Sequence, residues 1–145
     1  MADGTDLLDF LRQVNVLRHG PRSAADAIWL TAAEARLARQ HRADRHLLVY
    51  GSLAPGECNH HRVSSWGGAW STATVPGTIV QRRWKEFCWQ PDGQPLPMRL
   101  LTAPTPIDWR DLDEFEADED YRRIVVLAAT DHGPVVGNLY QAPRR

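Results

Sequence analysis

The chain has 145 residues, is 43% hydrophobic and 24% charged, and carries a formal net charge of −1, which fits one domain with a core of its own and offers no electrostatic case for nucleic acid or an anionic membrane surface. Its two cysteines, Cys58 and Cys88, form neither a disulfide framework nor a zinc pair, and the N-terminal MADGTDLLDF lacks a basic segment leading into an apolar run. No stretch approaches the roughly 18 apolar residues that span a bilayer, so the expectation is a cytoplasmic protein with reduced thiols.

Residues 5–43 read as helical and differ in pattern from the rest. Leu7, Leu8, Phe10, Leu11, Val14 and Leu17 recur at helical spacing after Thr5, a candidate N-cap. His19-Gly20-Pro21-Arg22-Ser23 breaks this helix, and Ala24, Ala27 and Ile28 open a second pattern. Thr31-Ala32-Ala33-Glu34 has the form of a capping box, so a helix is expected to restart there and run to about Arg42. Arg36, Arg39, Arg42 and Arg45 read as a solvated basic face that also suits the helix C-terminus. Residues 1–45 are thus set apart as a helical N-terminal extension, and residues 46–145 as the main domain.

From residue 46 the pattern changes to strands and turns. Leu47, Leu48 and Val49 read as a buried strand that ends abruptly in Tyr50-Gly51-Ser52-Leu53-Ala54-Pro55-Gly56. Gly51 and Gly56 can take backbone angles that other residues avoid, and they leave backbone N–H groups uncovered. Such a loop is either an anion cradle built from converging N–H groups or a plain strand-to-turn junction. Beyond it, Cys58, His60 and His61 offer a Cys–His pair or metal ligands on paper, but without an organised acid partner they read as a surface loop. Ser71–Val75 and Gly77–Trp84 are β-like and are punctuated by Pro76-Gly77. Phe87-Cys88-Trp89 and Leu96–Leu101 flank Gln90-Pro91-Asp92-Gly93-Gln94 as a hairpin. Residues 121–129 and 135–141 form another pair, joined by Asp131-His132-Gly133-Pro134. The six tryptophans read as core, with Trp66 or Trp70 available to wall a pocket.

Between the two pairs lies one short helix, with Thr105 as its cap, Pro106 in its first turn and Asp108 near its positive end. It carries seven acidic residues from Asp111 to Asp120. At about 100° per residue, Leu112 and Glu116 share a side, with Phe115 adjacent. Glu116 is therefore the carboxylate drawn toward the core, where desolvation raises its pKa and suits it to take and return a proton. The other reading is a rim glutamate that passes Leu112 or pairs with Arg122 or Arg123.

These segments resemble the γ-glutamylcyclotransferase-like superfamily, in particular its small avirulence-induced-gene-like, γ-glutamylamine cyclotransferase branch. The family's Tyr-Gly-(Ser/Thr)-Leu strand end, Pro-Gly turn and Asn are similar to Tyr50-Gly51-Ser52-Leu53, Pro55-Gly56 and Asn59. Its Leu-Asp…Glu-Gly segment and Tyr-x-Arg strand are similar to Leu112-Asp113-Glu114-Phe115-Glu116-Ala117 and Tyr121-Arg122-Arg123. Val75-Pro76-Gly77, Leu96-Pro97-Met98 and Gly137-Asn138-Leu139-Tyr140 match looser family strands. The resemblance implies an α+β fold, a small mixed β-barrel flanked by short helices. It implies cyclisation of a γ-glutamyl amide to 5-oxoproline and a free amine, without cofactor or metal, on a small-molecule γ-glutamyl substrate. By the same match, Tyr50, Gly51, Ser52 and Leu53 bind the glutamyl carboxylate, Glu116 is the general acid/base, Tyr140 lines the pocket, and Tyr121 and Arg123 support the glutamate segment. Two departures stand out: Ala117 replaces the usual Gly, and residues 1–45 have no counterpart. They motivate the alternative of a non-catalytic binding protein that keeps the barrel and the anion loop.

Overall fold

The structure, a computed structural model, describes residues 4–143. Helix α1 spans Gly4–His19, so Thr5 lies inside its first turn and not at its cap. Helix α2 spans Ala24–His41 and begins at a capping box made by Ser23 and Asp26. The Ser23 hydroxyl accepts from the Asp26 N–H at 3.1 Å, and the Asp26 carboxylate accepts from the Ser23 N–H at 3.3 Å. This box, not the one expected at Thr31, starts the helix. The Thr31 hydroxyl instead donates back to the Ala27 carbonyl at 3.0 Å, a bond that keeps threonine inside an unbroken helix. Arg42 ends α2 at φ 52°, and a 3-10 turn, Ala43–Arg45, leads into strand β1, His46–Val49.

Helix α3 (His61–Ser64) follows, then β2 (Ala69–Gln81), β3 (Lys85–Trp89), β4 (Gln94–Thr102), helix α4 (Arg110–Ala117), β5 (Arg122–Thr130) and β6 (Gly133–Gln141). The sheet order is β3-β2-β4-β1-β6-β5, and a further contact between Thr74 of β2 and Ala129 of β5 closes five of these strands into a barrel. β1 and β6 run parallel and the other pairs antiparallel, so the barrel is mixed. β3 is an extra strand on the outer edge of β2.

Two strand expectations fail in an instructive way. β2 runs straight through Pro76-Gly77, because it changes partner there: residues 69–77 pair with β4 and residues 77–81 with β3. Pro76 faces Pro95, so two residues without an N–H oppose each other at the junction. At Gly77 a Cβ would collide with the Cys88 carbonyl and stand 2.6 Å from the Phe87 ring, which is why this crossing point between partners needs glycine. β3 and β4 are consequently not a hairpin with each other; both pair with β2, and the Gln90–Gly93 turn carries the chain from one side of β2 to the other. The β5–β6 hairpin forms as expected, with Asp131 and His132 at its tip.

Alternation sorts each strand between inside and outside. Leu48, Val75, Phe87, Leu100, Val126 and Leu139 fill the barrel. Leu47, Val49, Leu101 and Tyr140 face outward and are covered by Val63 of α3 and Leu112 of α4. Val125 and Val136 also face outward and are sealed by Leu11, Val14, Leu30 and Leu37 of the α1–α2 hairpin. The Asn15 side chain there exchanges both hydrogen bonds with the backbone of Val125, at 2.8 and 2.9 Å.

Candidate active site

The loop after β1 is braced from both ends. The Tyr50 hydroxyl donates to the Tyr140 carbonyl at 2.6 Å, and its ring packs 5.5 Å from that of Phe87; burial pushes the phenol up. Asn59 donates its backbone N–H to the Ser52 carbonyl at 2.8 Å and its side-chain amide to the Ser52 hydroxyl at 3.0 Å. A ring nitrogen of His60 lies 3.0 Å from the Leu53 carbonyl, so this histidine holds the loop. Gly56 takes a positive φ of 85°. Gly51 does not, contrary to expectation; its missing side chain leaves open space, with no atom within 4 Å of where a Cβ would stand. Among the described residues, the N–H groups of Gly51, Ser52 and Leu53 donate to nothing, which leaves three successive donors in one loop.

α4 starts later than its sequence suggests, at Arg110, with Thr105 and Pro106 outside it. Ile107 is buried and gives its N–H to the Asp44 carbonyl at 2.8 Å, which ties the approach to the turn before β1. Asp108 instead takes the Arg110 backbone N–H at 3.2 Å and its guanidinium at 2.6 Å. Within the helix Leu112 is buried, and Glu116, on the same side, is half-buried. Burial pushes the Glu116 carboxyl up to about 7; Glu119 adds to the shift, and the Arg62 guanidinium, stacked 3.6 Å from the Phe115 ring, opposes it. The Glu116 carboxylate makes no ion pair or hydrogen bond with a described residue, although its backbone carbonyl accepts from the Glu119 and Tyr121 N–H groups.

Of the two arginines named as alternative partners of Glu116, Arg123 goes elsewhere, and among the described residues Arg122 makes no ion pair with it. Arg123 binds Asp113 at 2.9 and 3.4 Å, and the Tyr140 hydroxyl donates to the same carboxylate at 2.6 Å. Asp113 was not singled out from the sequence, although it sits one turn before Glu116 and is the aspartate of the Leu-Asp motif itself. Ala117 has no positive φ; the left-handed residue is Asp120, at φ 61°, so alanine at 117 brings no strain.

Tyr50, Gly51, Ser52, Leu53, Glu116 and Tyr140, the residues singled out from the sequence, all line one cavity of about 400 Å³. None of residues 4–45 enters it. Trp66 and Trp70 do not wall it either: Trp66 packs edge-on to Trp109, and Trp70 against His60, outside the barrel. Trp84, in the β2–β3 turn, lines the mouth, and Tyr121 holds that turn by donating to the Lys85 carbonyl at 3.1 Å. A wider opening of about 720 Å³ shares Tyr50, Gly51, Ser52 and Trp84 as its wall and continues past Thr72 and Arg99. Among the described residues there is no group of three or more His, Cys, Asp or Glu side chains that would hold a metal ion.

A family model described as gamma-glutamyl cyclotransferase, AIG2-like, matches residues 47–145. The chain belongs to this family. Solved structures of similar fold include YkqA from Bacillus subtilis (19% identity, TM-score 0.55, 68% of this chain and 35% of that one). A protein from Arabidopsis thaliana solved in solution (20% identity, TM-score 0.53, 68% of both chains) is similar too. So is an AIG2-like protein from Mus musculus (19% identity, TM-score 0.54, 68% of this chain and 76% of that one). The chain spans about a third of the length of YkqA. At these identities the likeness is one of fold. No curated protein matches the sequence. Among the described residues, no helix of this AIG2-like protein is long and apolar enough to cross a membrane.

Proposed function

We propose that the protein cyclises a γ-glutamyl amide to 5-oxoproline and a free amine, with Glu116 as general acid/base. One observation carries this reading: a half-buried carboxyl with a pKa of about 7 and no partner of its own lines the same cavity as three successive free backbone donors. The Gly51–Leu53 N–H groups would hold the substrate's α-carboxylate, as an anion suits converging donors. Ionised Glu116 takes a proton from the α-ammonium, and the freed amine attacks the γ-carbonyl carbon, forming the ring C–N bond. On collapse the exocyclic C–N bond breaks. The leaving amine receives the proton held by Glu116 and the second proton shed by the ring nitrogen, so substrate and products balance without water. A pKa near the working pH lets one carboxyl do both tasks. The nucleophile belongs to the substrate, and holding it against its own carbonyl removes much of the entropic cost. The wider opening beyond Trp84 leaves room for the leaving amine. With two free thiols, a reducing cytoplasm is its proposed location.

The competing reading, a binding protein, is motivated by Ala117 and the N-terminal extension; Ala117 has no positive φ and none of residues 4–45 lines the cavity, which supports the enzyme reading. The test is a panel of γ-glutamyl amides, amino acids and peptides assayed for 5-oxoproline. Release by wild-type protein, with a loss of about 10²–10⁴-fold in Glu116→Gln, is the expected outcome. Release by wild-type no faster than by Glu116→Gln would overturn the proposal.

A further inference from the structure

The N-terminal hairpin lies outside the matched residues 47–145 and outside the cavity, yet a continuous set of hydrogen bonds joins it to α4. Arg18, near the end of α1, is only 9% exposed in its side chain. Its Nε and Nη2 clasp Glu34 of α2 at 2.9 and 2.7 Å, and its Nη1 donates to the Asn138 Oδ1 at 2.9 Å. Arg123 Nη1 donates to that same oxygen at 3.1 Å. Asn138 is 1% exposed and fixed at its other end, where Nδ2 donates to the Ala43 carbonyl at 2.8 Å. From Arg123 the path runs to Asp113 on α4, and the Tyr140 hydroxyl closes it. Two like charges thus converge on one amide oxygen, and each is offset by its own carboxylate, Glu34 on one side and Asp113 on the other.

Simple anchoring does not call for this arrangement. The hairpin is already held by the apolar contacts of Leu11, Val14 and Leu37 and by the two Asn15–Val125 bonds. Beyond the fork that clasps Glu34, Arg18 adds to these one donor to Asn138, whose oxygen also takes Arg123, the residue that binds Asp113 one turn before Glu116. We infer that Arg18 is a positioning residue for Glu116: through Asn138, Arg123 and Asp113, the N-terminal hairpin sets the pose of α4 and so the aim of the carboxyl at the cavity. This rests on the cyclisation proposed above, in which Glu116 moves the proton and the β1 loop binds. A change in the aim of Glu116 then lowers kcat and leaves KM nearly untouched, because small misplacements of a catalytic group are costly.

The test uses the full chain and the best substrate of the amide panel, at a temperature where every variant is folded. Arg18→Met is expected to lose about tenfold in kcat with KM within about twofold, and Arg18→Lys to recover part of the loss. Asn15→Leu, which loosens the hairpin elsewhere, keeps the wild-type kcat. In a double-mutant cycle, Arg18→Met added to Asp113→Asn costs nothing more than Asp113→Asn alone, because the two act along one path. An unchanged kcat in Arg18→Met, or losses that multiply in the double variant, would overturn the inference. Should no γ-glutamyl amide be turned over, amide hydrogen exchange decides separately. Arg18→Met is expected to speed exchange across Leu112–Ala117 relative to Asn15→Leu of equal thermal stability, and equal rates would refute the coupling whatever the reaction is.

Discussion

The back of the barrel, under α1 and α2, and its mouth, between the β1 loop and α4, treat polar groups in opposite ways. At the back the polar groups that tie the helices to the barrel are answered, with the buried Trp89 Nε1 as the exception among the described residues. Asn15 completes the backbone of Val125, Asn138 is bonded at both ends, and each arginine has its carboxylate. At the mouth three backbone donors and one half-buried carboxyl are left unanswered around an open cavity. The unanswered groups at the mouth line an open cavity where a ligand can meet them, whereas the partnerless group at the back, Trp89 Nε1, is sealed in the packing. The contrast separates what holds the fold from what is available to a ligand. It also appears within a single helix, where Asp113 is fully engaged and Glu116, one turn on, is not.

The contrast breaks most visibly at Gly51. A Cβ there would have no protein atom within 4 Å and the residue lines the cavity, so Gly51→Val is expected to cut kcat/KM by about 100-fold while the thermal midpoint moves little. A midpoint that drops with the activity would show that Gly51 serves the fold. At the back the effects reverse: Asn15→Leu, measured by urea unfolding, should lose about 2–3 kcal/mol by stranding the Val125 N–H and carbonyl, with kcat per folded molecule unchanged.

The pH dependence of stability offers a third handle. The Glu116 carboxyl rises from 4.5 to about 7 on folding, so the folded state binds more protons than the unfolded chain across that window. Its contribution is most favourable below about pH 4.5 and is lost as pH rises through about 7. Glu116→Gln should therefore be more stable than wild type above that window, by about 2 kcal/mol once partial exposure is discounted, and show no such gain near pH 4. Unfolding midpoints at the two pH values check this. The smallest effect belongs to Arg62. Its guanidinium holds Glu116 lower than burial alone would, so Arg62→Met should move the rising limb of the pH–rate profile to higher pH, by less than about one unit.

The mouth was more legible in the sequence than the frame around it. Both halves of the site fall within short local segments, a strand running into a glycine loop and one amphipathic turn of helix. Spacing alone put Glu116 beside Leu112. What failed depends on partners distant in sequence. Nothing local to Pro76-Gly77 says that β2 continues with a new partner, or that residues 85–89 and 94–102 meet β2 and not each other. Thr31-Ala32-Ala33-Glu34 satisfies the capping pattern, but Ser23 and Asp26 satisfy it first, and a helix needs only one start. Asp113 was missed because its partners, Arg123 and Tyr140, come from strands 10 and 27 residues later, so its engagement exists only once the barrel closes.

The central claim is that the unanswered carboxyl at the mouth moves the proton in a cyclisation. Its most direct test is the rate of 5-oxoproline release from a γ-glutamyl amide, followed from about pH 5 to about pH 9 for wild type and Glu116→Gln. The account predicts a wild-type limb that rises through about pH 7 and a variant that is slower by about 10²–10⁴-fold and lacks that limb. A Glu116→Gln variant that keeps the wild-type rate, or the wild-type limb, would contradict it.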